Sequence, residues 1–406
     1  MKENSQQLDA VVIGAGQSGL AAGYHLARTK LRFEILESAP RVGDVWRRRW
    51  DSLQLFTPAQ HDSLPGLPFP GPRKTFPGKE EFADYLESYA ARFSLPVRAG
   101  VRVAGLTRSG AGFTLDTPAG TVRARNVIVA TGANALPRLP DAAAGLDPAI
   151  RQLHTSQYRS PAGIPDGDVL VVGAGTSGSE IALELAASHS VLLSGRPTPH
   201  IPDPVLRYAG GAYWRFIHSV LTLRTPVGRK VAATLHQRGA PLIRISTKDL
   251  DRAGVLRVPR LTGTRDGQPA FDGGSPAGGT FDGGGPARVR TVIWATGYRP
   301  DLDWIDGLEL AASGWPETIR GAVPGMPGLY FVGMPFQYAL TSGLIGGVDR
   351  DAAYVVKQIE KRVPDPSVVA PVLQLRNGDG EDRGGREAKH AGGGHPGPQR
   401  GHGGHG

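Results

Sequence analysis

Asp9-Ala-Val-Val-Ile-Gly14-Ala-Gly16-Gln-Ser-Gly19 is a short apolar, β-branched run that empties into a glycine-rich turn. The helical pattern Leu20 to Ala27 follows, and Phe33-Glu-Ile-Leu-Glu37 forms a second apolar run ending on an acid. Strand, glycines, helix and strand within about thirty residues make the β-α-β unit that cradles a dinucleotide. Gly14 permits the tight turn, Gly16 lets the backbone approach a pyrophosphate, and Gly19 lets the helix lie close to its strand. The helix N-terminus offers unpaired N–H groups and partial positive charge to the phosphates. Glu37 stands where a carboxylate accepts hydrogen bonds from a ribose diol.

The same design occurs a second time. Asp168-Val-Leu-Val-Val172 leads into Gly173-Ala-Gly175-Thr-Ser-Gly178, then a helical pattern from Ser177 to Ala187 and a strand from Ser190 to Ser194. At the distance that separates Glu37 from Gly14, this unit carries Arg196, with Ser194 and Thr198 as neutral helpers. A guanidinium pairs with a 2′-phosphate. The first site therefore reads for an adenine dinucleotide such as FAD or NAD, and the second for NADPH.

Each half also closes on one landmark, Asn126-Val-Ile-Val-Ala-Thr-Gly132 and Thr291-Val-Ile-Trp-Ala-Thr-Gly297. The chain thus holds a long internal repeat of a dinucleotide-binding domain. The predicted fold class is α/β, with two Rossmann-like domains, the NADPH domain inserted in the FAD domain, and a small helical insertion. Expected boundaries are 1–155 and 291–376 for the FAD domain and 156–290 for the NADPH domain, with the insertion at about 203–240. Residues 377–406 form a Gly/His-rich tail without periodicity, expected to be disordered.

Composition narrows the chemistry. A length of 406 residues with 40% apolar content suits two or three domains with sizeable cores. The formal charge of +9 fits an arginine-rich surface that also favours phosphorylated cofactors, and no nucleic-acid motif accompanies it. The absence of cysteine excludes disulfides, thiolate metal sites and an internal dithiol relay. His390, His395, His402 and His405 lie in the tail, where no fold fixes metal geometry, so no metal site is expected. A polar start and the lack of any apolar run of about 18 residues predict a cytoplasmic protein without integral membrane association. A homo-oligomer is compatible with the sequence.

Three segments carry less regular patterns. Gly43 to Pro77, with Trp46, Trp50, Phe56 and Phe69 among prolines, reads as a long ordered loop. The helix after it presents Phe82, Tyr85, Leu86 and Tyr89 as a core-facing stripe. Val205 to Arg238 reads as one or two helices broken at Pro226-Val-Gly228, a cavity-covering insertion with a membrane-surface helix as the alternative. The echo Phe271-Asp-Gly-Gly and Phe281-Asp-Gly-Gly reads as a duplicated hairpin tip.

Over roughly residues 9 to 360 the chain resembles the class B flavin monooxygenases, the group that includes flavin-containing, YUCCA-type and Baeyer–Villiger enzymes. The resemblance rests on both glycine loops, Gly43-Asp-Val-Trp46, Trp50-Asp-Ser-Leu-Gln-Leu-Phe-Thr-Pro58, both Ala-Thr-Gly turns with Tyr298-Arg-Pro-Asp301, and Gly333 with the following helix. It implies FAD on the first loop, NADPH on the second, and Gly333, Leu340 and Thr341 around the flavin ring. Ser18, Trp46, Thr131, Gly132, Thr176, Ser177 and Gly297 join them as candidate cofactor contacts. The family fingerprint before the second loop is matched in its latter half by His154-Thr-Ser-Gln-Tyr158, whereas Pro148 and Ile150 occupy its phenylalanine and glycine positions.

The activity implied is oxygenation of a small organic substrate with NADPH and O2 through a C4a-(hydro)peroxyflavin, at nitrogen, at sulfur or by Baeyer–Villiger insertion. The loop around Trp46 and Trp50 is then expected to cover the flavin. Gln54 and His154 are the candidate catalytic residues, with Asp44, Arg49 and His61 behind them. Two alternatives share the loops: an FAD-dependent NAD(P)H oxidoreductase serving another acceptor, and a regulatory flavoprotein linked to ion handling.

Overall fold

Ala10 to Ile13 offer no polar side chain to either face, and the strand they form is buried on both, as the centre of a parallel sheet demands. The protein is described here from a computed structural model, over residues 7–196, 198–235, 241–272 and 288–363. Its first part runs β1 (Leu8–Ile13), α1 (Gln17–Leu26), β2 (Phe33–Leu36), α2 (Asp44–Arg47), α3 (Lys79–Arg92) and β3 (Val97–Arg98). An antiparallel meander follows, β4 (Gly105–Ser109), β5 (Gly112–Thr117) and β6 (Gly120–Val129). β1 lies between β2 and β6, parallel to both, with Val12 opposite Ile35 and Ile128.

The chain then crosses on β7 (Leu136–Pro137) and builds β8 (Arg151–His154), β9 (Asp168–Val172), α4 (Thr176–Leu185) and β10 (Val191–Ser194). Helices α5 (Asp203–Ser219), α6 (Pro226–Leu235) and α7 (Thr247–Arg252) precede β11 (Leu256–Val258), the hairpin β12 (Leu261–Arg265) and β13 (Gln268–Phe271), and β14 (Val289–Trp294). The second sheet has the order β11-β10-β9-β14-β8 and is parallel throughout. β15 (Tyr298–Arg299) pairs antiparallel with β7, so the two crossings run side by side. Finally β16 (Leu329–Phe331) returns to pair with β6, and α8 (Val348–Arg362) packs on α1.

The repeat is visible in these neighbours. β1 is flanked by β2 and β6 as β9 is flanked by β10 and β14, and each flanking strand, β6 and β14, ends on its Ala-Thr-Gly turn. The second sheet is larger than residues 156–290: β8 begins it at Arg151 and β14 ends it at Trp294. The edge of a parallel sheet is set by which strand can cover β14, and no composition break marks that point. Leu146 and Ile150 already pack with Leu170, Val172 and Trp294.

A hairpin tip also precedes the echo. Asp266 and Gly267, both at positive φ, turn β12 into β13, the geometry that right-handed strand twist favours. Most of the Phe-Asp-Gly-Gly echo, Arg238 and the histidine tail lie outside the described residues. Pro226 opens α6, where its fixed φ suits the first turn, so the helical break falls at 220–225, just before it.

Candidate functional site

Both glycine loops are built by one steric scheme. Gly14 and Gly173 adopt φ of 101° and 113°, and a Cβ on either would press on the carbonyl of Ala130 or Ala295 in the matching Ala-Thr-Gly turn. A Cβ on Gly19 or Gly178 would collide with the carbonyl of Gly14 or Gly173. At Gly16 and Gly175 a Cβ would meet nothing within 4 Å. The outer glycines thus close the turn, while the middle one faces open space at a helix N-terminus, the place a pyrophosphate takes.

The residues after the strands differ as their charges suggest. Glu37 accepts from the Ala15 N–H at 2.7 Å and the Ala39 N–H at 2.8 Å, which ties the end of β2 to the first loop. Arg196 is exposed and has no partner among the described residues. Ser194 cannot assist it. Its hydroxyl is buried, donates to the Pro259 carbonyl at 2.8 Å and accepts from the Leu261 N–H at 3.0 Å. The Thr198 hydroxyl, two residues past Arg196, is buried without a partner among the described residues.

Around the first loop the expected contacts converge. Gly333, at φ 85°, lies against the Ser18 side chain with no room for a Cβ, and Thr131, Gly132 and Gly333 wall one small crevice. The Trp46 ring packs edge-to-face on Phe82 at 5.0 Å, and its buried Nε1 has no partner among the described residues. An orphaned donor and the open Gly16 fit a bound flavin dinucleotide.

The long loop is ordered by α3. Tyr85 donates to the Leu67 carbonyl and accepts from the Leu64 N–H, both at 2.7 Å, and Tyr89 donates to the Pro65 carbonyl at 2.6 Å. Buried Lys79 reaches the carbonyls of Arg47 and Arg49 at 3.1 and 2.9 Å. Trp50 is no cover over a cofactor; it is buried in the core of the second sheet with Leu53, Tyr158 and Ile181.

A cavity of about 430 Å³ opens where this loop meets α5 and the turn before α8. Its walls include Thr57, His61, Trp214, His218, Thr341 and Leu344. The His61 ring lies tilted on Trp214 at 4.9 Å, and His218 Nδ1 meets Thr341 Oγ1 at 3.1 Å. Burial lowers the pKa of both histidines, aided by Arg73 for His61 and Arg350 for His218. Behind the wall, Thr57 donates to the carboxyl of Asp62, which is fully buried with one oxygen unpartnered.

Gln54 and His154 are absent from this wall. Gln54 is exposed and held by Arg244, which donates to its Oε1 at 2.5 Å and pairs with Glu180 at 3.0 Å. His154 is buried at the end of β8. Its Nε2–H donates to the Gly297 carbonyl at 3.1 Å, leaving Nδ1 to accept from the Ser156 N–H at 3.2 Å. Burial lowers its pKa, so the ring ties β8 to the second Ala-Thr-Gly turn in its neutral form. Arg49 is spent on the Tyr298 hydroxyl at 2.9 Å, and Asp44 lies beside Arg47 at 3.4 Å. Of the five candidates only His61 lines the cavity.

Burial pushes Asp62 up to about 7, against the lowering effect of Thr57. A carboxyl raised this way holds its proton longer in the folded chain than in the unfolded one. Its contribution to stability is complete below about pH 4 and is lost as pH rises through about 7. Asp62→Asn should therefore melt close to the parent at pH 4 and above it at pH 8. Equal offsets at the two pH values in thermal melts would show that Asp62 is ionised throughout.

Comparison with known proteins agrees with the duplicated loops. Residues 11–201 match the pyridine nucleotide-disulphide oxidoreductase family. An uncharacterized CzcO-like oxidoreductase of Geobacillus kaustophilus is 37% identical over 87% of this chain and 98% of its own length. Indole-3-pyruvate monooxygenase YUCCA1 of Oryza sativa is 32% identical over 91% of this chain and 95% of its own. Among solved structures, a flavin-containing monooxygenase from Stenotrophomonas maltophilia superposes with a TM-score of 0.68 at 27% identity, covering 88% of this chain and 99% of that one.

Proposed function

Since the chain belongs to the class B flavin monooxygenase family, which depends on FAD and NADPH, we propose how its residues divide the work of oxygenating a small organic substrate. Gly16 would hold the pyrophosphate of FAD, Glu37 its ribose, and Gly333, Thr341 and Trp46 would line its ring. Gly175, Thr176 and Ser177 would hold NADPH on the second loop, and Arg196 would pair with its 2′-phosphate. Bound there, the flavin would supply hydride acceptance from NADPH and electron transfer to O2.

The cavity beside Thr341 receives the substrate, and this placement carries the reading. It adjoins residues assigned to the flavin ring, it is walled on one side by the His61–Trp214 pair, and Gln60, Ser63, Arg215 and Ser219 add polar groups to its lining. With the His218 Nδ1–H donating to Thr341, the Thr341 hydroxyl is left to stabilise a developing oxyanion or a leaving water. The family match named for disulphide reduction finds no cysteine here, so electrons have no internal dithiol to reach.

A panel of amines, sulfides and ketones tests the proposal under 18O2. The expected result is NADPH consumption stimulated by one class, with a single labelled oxygen in the product. NADPH consumption that yields only hydrogen peroxide for every class would instead establish an oxidase.

A further inference from the structure

Helix α5 has two occupied faces and one bare one. Trp214, Ile217 and Leu221 pack into a core with Ile243 and Phe336, and Gly211, Trp214 and His218 wall the cavity. The remaining face carries Val205, Tyr208, Ala212, Phe216 and Val220, spaced by three or four residues and therefore aligned along about 22 Å of helix. All five are exposed, Tyr208 by 82% and Phe216 by 46%. Leu223 and Val227 extend the patch into α6. Six of the ten exposed large hydrophobic residues of the described chain fall within this one segment. Elsewhere they are scattered singly, as on any soluble surface.

The charge along this stretch of sequence has one sign. No Asp or Glu stands between Asp203 and Asp249, whereas Arg215, Arg224, Arg229 and Lys230 all do. Arg215, Arg224 and Arg229 are exposed, and the contacts of Arg229 are to backbone carbonyls, which leave its charge uncompensated. An apolar stripe with a basic border describes a helix that lies in the plane of an anionic bilayer surface. A second copy of the chain suits it less, because a two-fold contact would bring this basic border against itself. No helix among the described residues is long and apolar enough to cross a membrane, so any attachment through α5 is peripheral.

We propose that the exposed face of α5, continued by Leu223 and Val227, docks on membranes containing anionic phospholipid. Docking turns the helix that walls the cavity toward the lipid. Apolar substrates then reach the cavity from the bilayer surface as well as from water. The docking itself stands independently of the substrate assignment above; only this consequence rests on it.

Sedimentation of the full-length protein with large unilamellar vesicles tests the proposal, comparing phosphatidylcholine alone with phosphatidylcholine containing 30% phosphatidylglycerol. Binding is expected to the anionic vesicles, to weaken between 0.1 and 0.5 M NaCl, and to be slight on phosphatidylcholine. Tyr208→Ser with Phe216→Ser should lower the apparent affinity at least about tenfold, and Arg224→Glu about fivefold or more, the weight of one basic residue at such a surface. NADPH oxidation without vesicles should not change in either variant, since none of the three residues lines the cavity.

Three results would overturn the proposal: no binding to anionic vesicles, binding that ignores both variants, or a dimer by light scattering that the double variant converts to monomer. The last would assign the face to a second copy. Arg224→Glu keeps the apolar face intact, so its effect is read even where the double variant folds poorly.

Discussion

Arg196→Ala should raise the KM for NADPH by about 10- to 100-fold while leaving that for NADH within about twofold. The range corresponds to charge-assisted hydrogen bonds of ~1.5–3 kcal/mol lost from one 2′-phosphate. Three observations support so selective an effect. The side chain is exposed and unpaired among the described residues, so its removal disturbs no internal contact. Ser194, the nearest neutral substitute, is locked between Pro259 and Leu261 and cannot turn outward to replace it. The preceding Gly195 holds φ of 130° and the second loop lies beside it, so the backbone fixes where position 196 emerges. Steady-state kinetics with each nucleotide at saturating substrate decide the matter. Equal increases for both nucleotides would mean that the guanidinium acts on the shared part of the molecule or on the fold. Arg196→Lys adds a finer reading, since an ammonium keeps the charge but not the planar fork.

The residues legible in the sequence share one property: their role follows from the backbone within a few positions. A glycine that must lie against a carbonyl is fixed by local geometry, and Gly14, Gly19, Gly173 and Gly178 are readable on that ground. The parallel strands were readable as well, because strands buried on both faces have no alternating polar positions.

Roles set by distant partners left no such mark. Gln54 stood in a suggestive stretch, yet Arg244, far along the chain, takes its side chain. Trp50 lies only four residues after Trp46 but is drawn into the core of the other sheet. Asp62 is not legible in the sequence because a single acid in a loop looks solvated until the fold closes over it. A buried carboxyl beside a Thr-Pro turn, five residues after the threonine it pairs with, is the one signal that reading could have used. His61, next to it, was noted for its residue type alone, and its place in the cavity wall depends on Trp214.

Replacing single glycines separates what the loops do for the fold from what they do for a ligand. Gly16 sits at φ −74° and ψ −175°, a conformation open to any residue, and its missing side chain would touch nothing. Gly16→Val should therefore fold, with at most about 1 kcal/mol lost at the helix N-cap. Its flavin content on purification should nevertheless fall about 100-fold, because the new side chain fills the space through which two N–H groups, each worth ~1.5 kcal/mol to a charged phosphate, would be reached. Gly19→Val is the opposite case: its Cβ would strike the Gly14 carbonyl, so α1 must lift off the sheet and the protein should not accumulate as a folded species. Gly175→Val, at φ −81° and ψ −173°, repeats the first experiment in the second unit. It should retain flavin and fold with the same small N-cap loss, but show no saturable NADPH binding by fluorescence titration. Circular dichroism, flavin absorbance and nucleotide titration on the three variants then give three different patterns from three chemically similar changes. If Gly16→Val retained flavin at the parent level, the open face at Gly16 would not be a phosphate site, and the assignment of FAD to the first loop would fall with it.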